Sequence, residues 1–165
     1  MDKFLYVMKI TNFNEPFITL NSMNNLPNQP SINFWIISIL AFLWNLIGVF
    51  AYLGQSFMSE EIIKSLSQSE QNYFSNLPAW VTAAFASAVF SGLFGAVAIL
   101  LRKKIAFLLY IFSLITLIIQ HYYNFYIQND IDISGMDVIL PLATLFIGIL
   151  LISFASKMIK IRILS

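Results

Sequence analysis

Four stretches of this chain are apolar for about twenty residues each, and shorter polar segments separate them: about Ile32 to Leu53, Pro78 to Leu101, Ile105 to Tyr123, and Met136 to Ser156. A helix rising about 1.5 Å per residue needs that length to cross a hydrocarbon layer about 30 Å thick. The pattern predicts an all-α protein, an integral membrane four-helix bundle. Helix-start residues agree with it. Ser31 follows Pro30 before the first span, and Pro78 falls in the first turn of the second, with Asn76 as its cap. Ser134 and Asp137 form a capping box at the fourth. Only Arg102, Lys103 and Lys104 separate the second span from the third, so those two form a tight antiparallel hairpin.

The remaining segments differ in character. Residues 1–31 are rich in Asn, carry Pro16, Pro27 and Pro30, and read as a flexible leader. They hold no apolar core of signal-peptide length, so insertion is expected to begin with the first span. Between the first two spans, Ser59 precedes Glu60 and Glu61, Glu60 pairs with Lys64 at i,i+4, and Met58, Ile62, Ile63 and Leu66 supply an apolar side. That combination predicts a short amphipathic helix at the membrane interface. Residues 157–165 read as a basic tail.

Charge adds an orientation. Of the nine Lys and Arg residues, all but Lys64 lie before the first span, in the Arg102-Lys103-Lys104 turn, or after the fourth span, while the acids Glu60, Glu61, Glu70, Asp130, Asp132 and Asp137 gather at the opposite ends. Basic loops stay in the cytoplasm, so both termini are expected there, N-in and C-in. Tyr52, Tyr73, Trp80, Tyr122, Tyr123 and Tyr126 fall near the outer interface and Trp35 near the inner one, as interfacial aromatics do.

Composition narrows the chemistry. With 59% hydrophobic and 10% charged residues and a mean hydropathy of +0.79, the chain has too much apolar surface for a soluble domain of its size. A net charge of +1 with no broad basic face argues against nucleic acid as a partner. The lack of cysteine removes disulfides, thiolate catalysis and Cys-based metal or cluster sites, and His121 alone cannot build a metal centre. Beyond the capping Asp137, no charged residue lies inside a span, so the embedded carboxylate needed for proton-coupled antiport is missing. No phosphate loop, carboxylate pair or Ser-His-Asp pattern occurs, and neither an enzyme activity nor a cofactor is expected.

The spans do contain neutral polar residues. Asn45, Ser87, Thr116 and Thr144 fall at about one depth, one per span, and Ser113, Gln120 and Asn124 continue a stripe outward along the third. If they face inward together they form a ring able to bind a hydroxyl-bearing solute; equally, such residues hold membrane helices together. Asn45, Ser87, Thr116, Gln120 and Thr144 are therefore the candidate binding residues. On the second span Ala84, Ala88, Gly92 and Ala96 recur every fourth residue, beside a second small row of Ser87, Ser91 and Gly95. These allow close helix packing, with Thr144 and Gly148 of the fourth span as the expected receiving surface, within one chain or in a homo-oligomer. His121 reads as an interfacial hydrogen-bonding residue, with a pH-sensing role as the alternative.

Three stretches together resemble a family: WNLIGVFAYL in the first span, LPAWVTAAFASAVFSGLFGAVAILLRKKIAF across the second and third, and the early Pro141 with a basic end in the fourth. The chain is similar, over about residues 34–165, to small four-span bacterial membrane proteins labelled sugar transporters. The resemblance implies the bacterial inner membrane and solute movement, and it names no substrate. Two functions follow as expectations. One is transport or binding of a small neutral solute such as a sugar. The other is a non-transporting accessory or structural subunit that docks on a larger membrane protein.

Overall fold

The computed structural model describes residues 29–129 and 135–165. Among them are six α-helices: α1 Ile32–Ser56, α2 Glu60–Ser65, α3 Gln68–Asn76, α4 Ala79–Leu100, α5 Ile105–Tyr122 and α6 Met136–Lys160. α5 widens at its end into a π turn, Tyr123–Ile127. α1, α4, α5 with its π turn, and α6 are long and apolar enough to cross a membrane. Residues 1–28 of the leader lie outside the described residues, as does Ser134.

Local chemistry explains most helix starts. Ser31 caps α1 by accepting from the Phe34 N–H, and Ser59 caps α2 by accepting from the Ile62 N–H. The expected i,i+4 pair joins Lys64 to Glu60 at 3.7 Å, well exposed. α3 is an addition to the expected single interfacial helix, opened by a capping box between Ser67 and Glu70. Two starts differ from expectation. Asn76 ends α3 and the N-cap of α4 is Pro78 itself, with no side-chain cap. The N-cap of α6 is Gly135, whose φ of 56° suits a residue without a Cβ.

The long helices pack in the order α1, α4, α5, α6. α4 is central because its small rows let neighbours close in on both sides. Gly92 receives Asn45 of α1 and Ser113 of α5, and Gly95 receives the Tyr110 ring of α5. The expected receiving surface was α6. Instead α6 packs on α5, where Gly148 lies against Leu114. The small rows are thus consumed inside one chain.

The buried core concentrates at the end that carries Arg102, Lys103 and Lys104, called here the basic end. Phe34 of α1 stacks on Phe154 of α6 with ring centroids 6.0 Å apart, over a cluster that includes Ile99, Ala106, Leu151, Ala155 and Met158. The last residues complete it. α6 ends in a Schellman-type turn, with Ile163 N–H donating to Met158 O at 2.9 Å and Arg162 at φ 58°. The chain then folds under the bundle, burying Ile163 and Leu164. Ser165 and the α4–α5 turn exchange backbone bonds, Ser165 N–H to Arg102 O at 2.9 Å and Lys104 N–H to Ser165 O at 3.2 Å, and Arg102 Nε donates to Ile163 O at 3.1 Å. Of the expected basic tail, residues 157–160 are the last turn of α6 and the remainder folds against the α4–α5 turn.

Candidate functional site

Towards the other end, which carries the α2–α3 loop, the four long helices separate around a cavity of about 300 Å³. α5 forms its polar wall, with Tyr110, Ser113, Gln120, His121 and Asn124 along it. These positions repeat at three, four and seven residues and so share one helical face. From Tyr110 to Asn124 the wall runs about 21 Å along the helix axis. α4 contributes only Phe85, Ala88 and Val89, and α1 contributes Asn45 beside the apolar Trp44, Ile47, Gly48 and Ala51. α6 contributes Thr144 beside Leu140, Pro141 and Ile147. No charged side chain lines the cavity, and among the described residues no group of three or more His, Asp or Glu could hold a metal ion.

Of the five candidate binding residues, Asn45, Gln120 and Thr144 line this cavity, whereas Ser87 and Thr116, both of the expected ring, do not. Thr116 is buried and its hydroxyl bonds back to Phe112 O and Ser113 O, both at 3.0 Å. The cause is helical phase: with 3.6 residues per turn, the face through 113, 117, 120 and 124 leaves 116 about 60° to one side. Ser87 gives its carbonyl to the Ser91 hydroxyl. A common depth counted along the sequence did not bring all four ring residues to one cavity.

Several polar groups around the cavity already have partners. Asn45 Nδ2 donates to Ala41 O at 2.8 Å, and Ser113 Oγ donates across to Ala88 O of α4 at 2.7 Å. Tyr73 of α3 donates to Asn124 Oδ1 at 3.1 Å, tying the outer loop to the π turn. Thr144 Oγ1 donates to Pro141 O at 2.7 Å and lies 3.1 Å from His121 Nε2. The Thr144 hydroxyl has one proton for these two partners, and the His121 tautomer follows from which of them receives it.

Three buried side-chain atoms among the described residues have no hydrogen-bond partner: Tyr110 Oη, Gln120 Oε1 and His121 Nδ1. All three belong to side chains that line the cavity, and each residue is less than 10% exposed. Buried polar atoms are nearly always paired, and each unpaired one costs roughly 1–3 kcal/mol. Tyr110 was missed by the sequence reading. Its signal was the eleven-residue spacing to His121, three full turns that put both on one stripe.

No family model, curated protein or solved structure matches the chain.

Proposed function

We propose that this protein sits in the bacterial inner membrane with both termini in the cytoplasm, and binds a small neutral solute, such as a sugar, in the α5-walled cavity to move it across the bilayer. The observation that carries the reading is the concentration of unpartnered buried polar atoms around one cavity in an otherwise apolar bundle. A solute with hydroxyl groups can donate to and accept from such atoms, offsetting the cost of burying them. The absence of charge on the lining favours a neutral solute. The closed basic end and the cavity towards the loop end fit a state of alternating access that faces outward, given the basic residues on the cytoplasmic side. The resemblance to small four-span proteins labelled sugar transporters supports the same reading.

Reconstituted into proteoliposomes, the protein is expected to take up at least one member of a panel of radiolabelled sugars faster than empty vesicles do. Uptake equal to that of empty vesicles across the panel would refute transport, and stable co-purification with a larger membrane protein would then favour an accessory subunit. A reporter fused after Ser165 checks the orientation, since it should be active only as a cytoplasmic fusion.

A further inference from the structure

Two basic segments far apart in the chain, residues 102–104 and 157–162, meet at the closed end of the bundle. The same device ends α4 and α6. Lys103 N–H donates to Ala98 O at 2.8 Å, Ile163 N–H donates to Met158 O at 2.9 Å, and the left-handed residue in each turn is an arginine, Arg102 or Arg162, both at φ 58°. Glycine holds that conformation without strain, so the backbone by itself does not call for arginine at either place. The Ser165 bonds to the turn and the Arg102 bond to Ile163 then tie one segment to the other. Lys103, Lys104, Lys157, Lys160 and Arg162 are exposed around this junction, and Arg102 is half-buried. The acidic residues among those described, Glu60, Glu61, Glu70 and Asp137, all belong to elements of the loop end, which leaves the Ser165 backbone carboxylate as the negative group here. Helix dipoles account for part of the cluster. Arg102, Lys157 and Lys160 stand at helix C-termini, where cations are favoured, but Lys103 and Lys104 precede α5, and Lys104 is its N-cap, where a cation is disfavoured. An anion held between the segments would offset that cost and the repulsion among the cations. The retention of basic loops in the cytoplasm explains the sign of each segment, but it does not require the bonds that join them. Next to the cations, Leu101, Ile105, Leu108 and Ile161 present exposed apolar side chains.

We propose that this junction binds the phosphate of an anionic phospholipid between the α4–α5 turn and the end of α6, with the acyl chains along the apolar flank of Leu101, Ile105 and Leu108. The phosphate draws on both basic segments at once, and the residues after α6 hold those segments together. Charge and exposed apolar surface side by side match a lipid, whereas a soluble phosphate would use the charge alone. The site lies at the opposite end from the cavity and does not depend on what the cavity holds.

The test uses the full chain in a maltoside detergent and reads energy transfer from its tryptophans to lipids that carry a pyrene-labelled chain. Labelled phosphatidylglycerol should bind about tenfold or more tightly than labelled phosphatidylcholine, and the difference should shrink in high salt. Lys103→Gln with Lys104→Gln, and separately Lys157→Gln with Lys160→Gln, should each weaken phosphatidylglycerol binding by about tenfold or more, at roughly fivefold for each cation lost. Leu164→Ala removes no charge yet should weaken it comparably, because it loosens the residues that join the two segments. Lys64→Gln, at the loop end, should change nothing. Equal binding of the two lipids overturns the proposal, as does full binding after either lysine pair is lost, or unchanged binding in a folded Leu164→Ala protein. Displacement of the lipid by an equal concentration of glycerol phosphate would assign the site to a soluble phosphate and overturn the lipid reading. Should Leu164→Ala fail to fold, the two exposed lysine pairs and the comparison of lipids still decide.

Discussion

Asn45 of α1 and Gly92 of α4 compete for one place: a Cβ on residue 92 would overlap Asn45 Oδ1 and stand 3.1 Å from Ser113 Oγ. The amide of Asn45 also donates to Ala41 O, so its side chain cannot swing aside without losing that bond. The close approach of α1 to α4 depends on this glycine.

Gly92→Ala is therefore expected to lower stability by about 1–3 kcal/mol, the usual range for overpacking. Part of that loss should disappear in an Asn45→Ala background, because the shorter side chain vacates the overlap. Gly48→Ala, whose new methyl would meet Val89 at an ordinary 3.5 Å, should be nearly neutral. Thermal unfolding of the unaltered protein, the three single variants Gly92→Ala, Asn45→Ala and Gly48→Ala, and the double variant in detergent checks the order. Additive losses for residues 45 and 92 would contradict the coupling.

Leu164 is 1% exposed although it is the penultimate residue of the chain. Leu164→Ala should cost about 2–3 kcal/mol, the low end of the range for emptying a leucine site. It should also raise hydrogen exchange in the α4–α5 turn, whose Arg102 and Lys104 backbone groups pair with Ser165. A mobile, dispensable tail would instead leave both melting and exchange unchanged.

Tyr73 joins α3 to Asn124, and Tyr73→Phe removes that bond. The expected cost is about 0.5–1.5 kcal/mol, felt as faster amide exchange in α3 while the long helices keep their protection. Burial, and then the neighbouring Tyr123, raise the Tyr73 phenol above its ordinary pKa. A raised phenol pKa stabilises the fold below the unfolded value, and this contribution is lost as pH rises through the folded one. Alkali should therefore release α3 in the native protein and have no such effect in the Phe variant.

Glu70 behaves in the opposite sense. The Ser67 hydroxyl, and then the Ser67 backbone N–H, hold its carboxyl below the ordinary range. A depressed carboxyl pKa stabilises above the unfolded value, and that contribution is lost as pH falls through the folded one. A carbon-detected titration of Glu70 should show the depression, and Ser67→Ala should reduce it. An unchanged titration in the variant would exclude the capping box as its cause.

The chain's covalent pattern alone determined the four long helices, their short basic connection, the Ser31 and Ser59 caps, and the small-residue character of α4. Each depends on interactions within one helix or with its solvent, so local spacing carries it. Tertiary structure decided the rest. Depth could be counted along the sequence, but the rotation of each helix about its own axis is set by its neighbours; that is why Asn45, Gln120 and Thr144 share a cavity while Thr116 turns aside. Which helices would close on Gly92 and Gly95 depended on shape fits between distant segments, as did the burial of Ile163 and Leu164 beneath Arg102. The partner of His121 was settled last, because its Nε2 meets Thr144 Oγ1 at 3.1 Å on another helix.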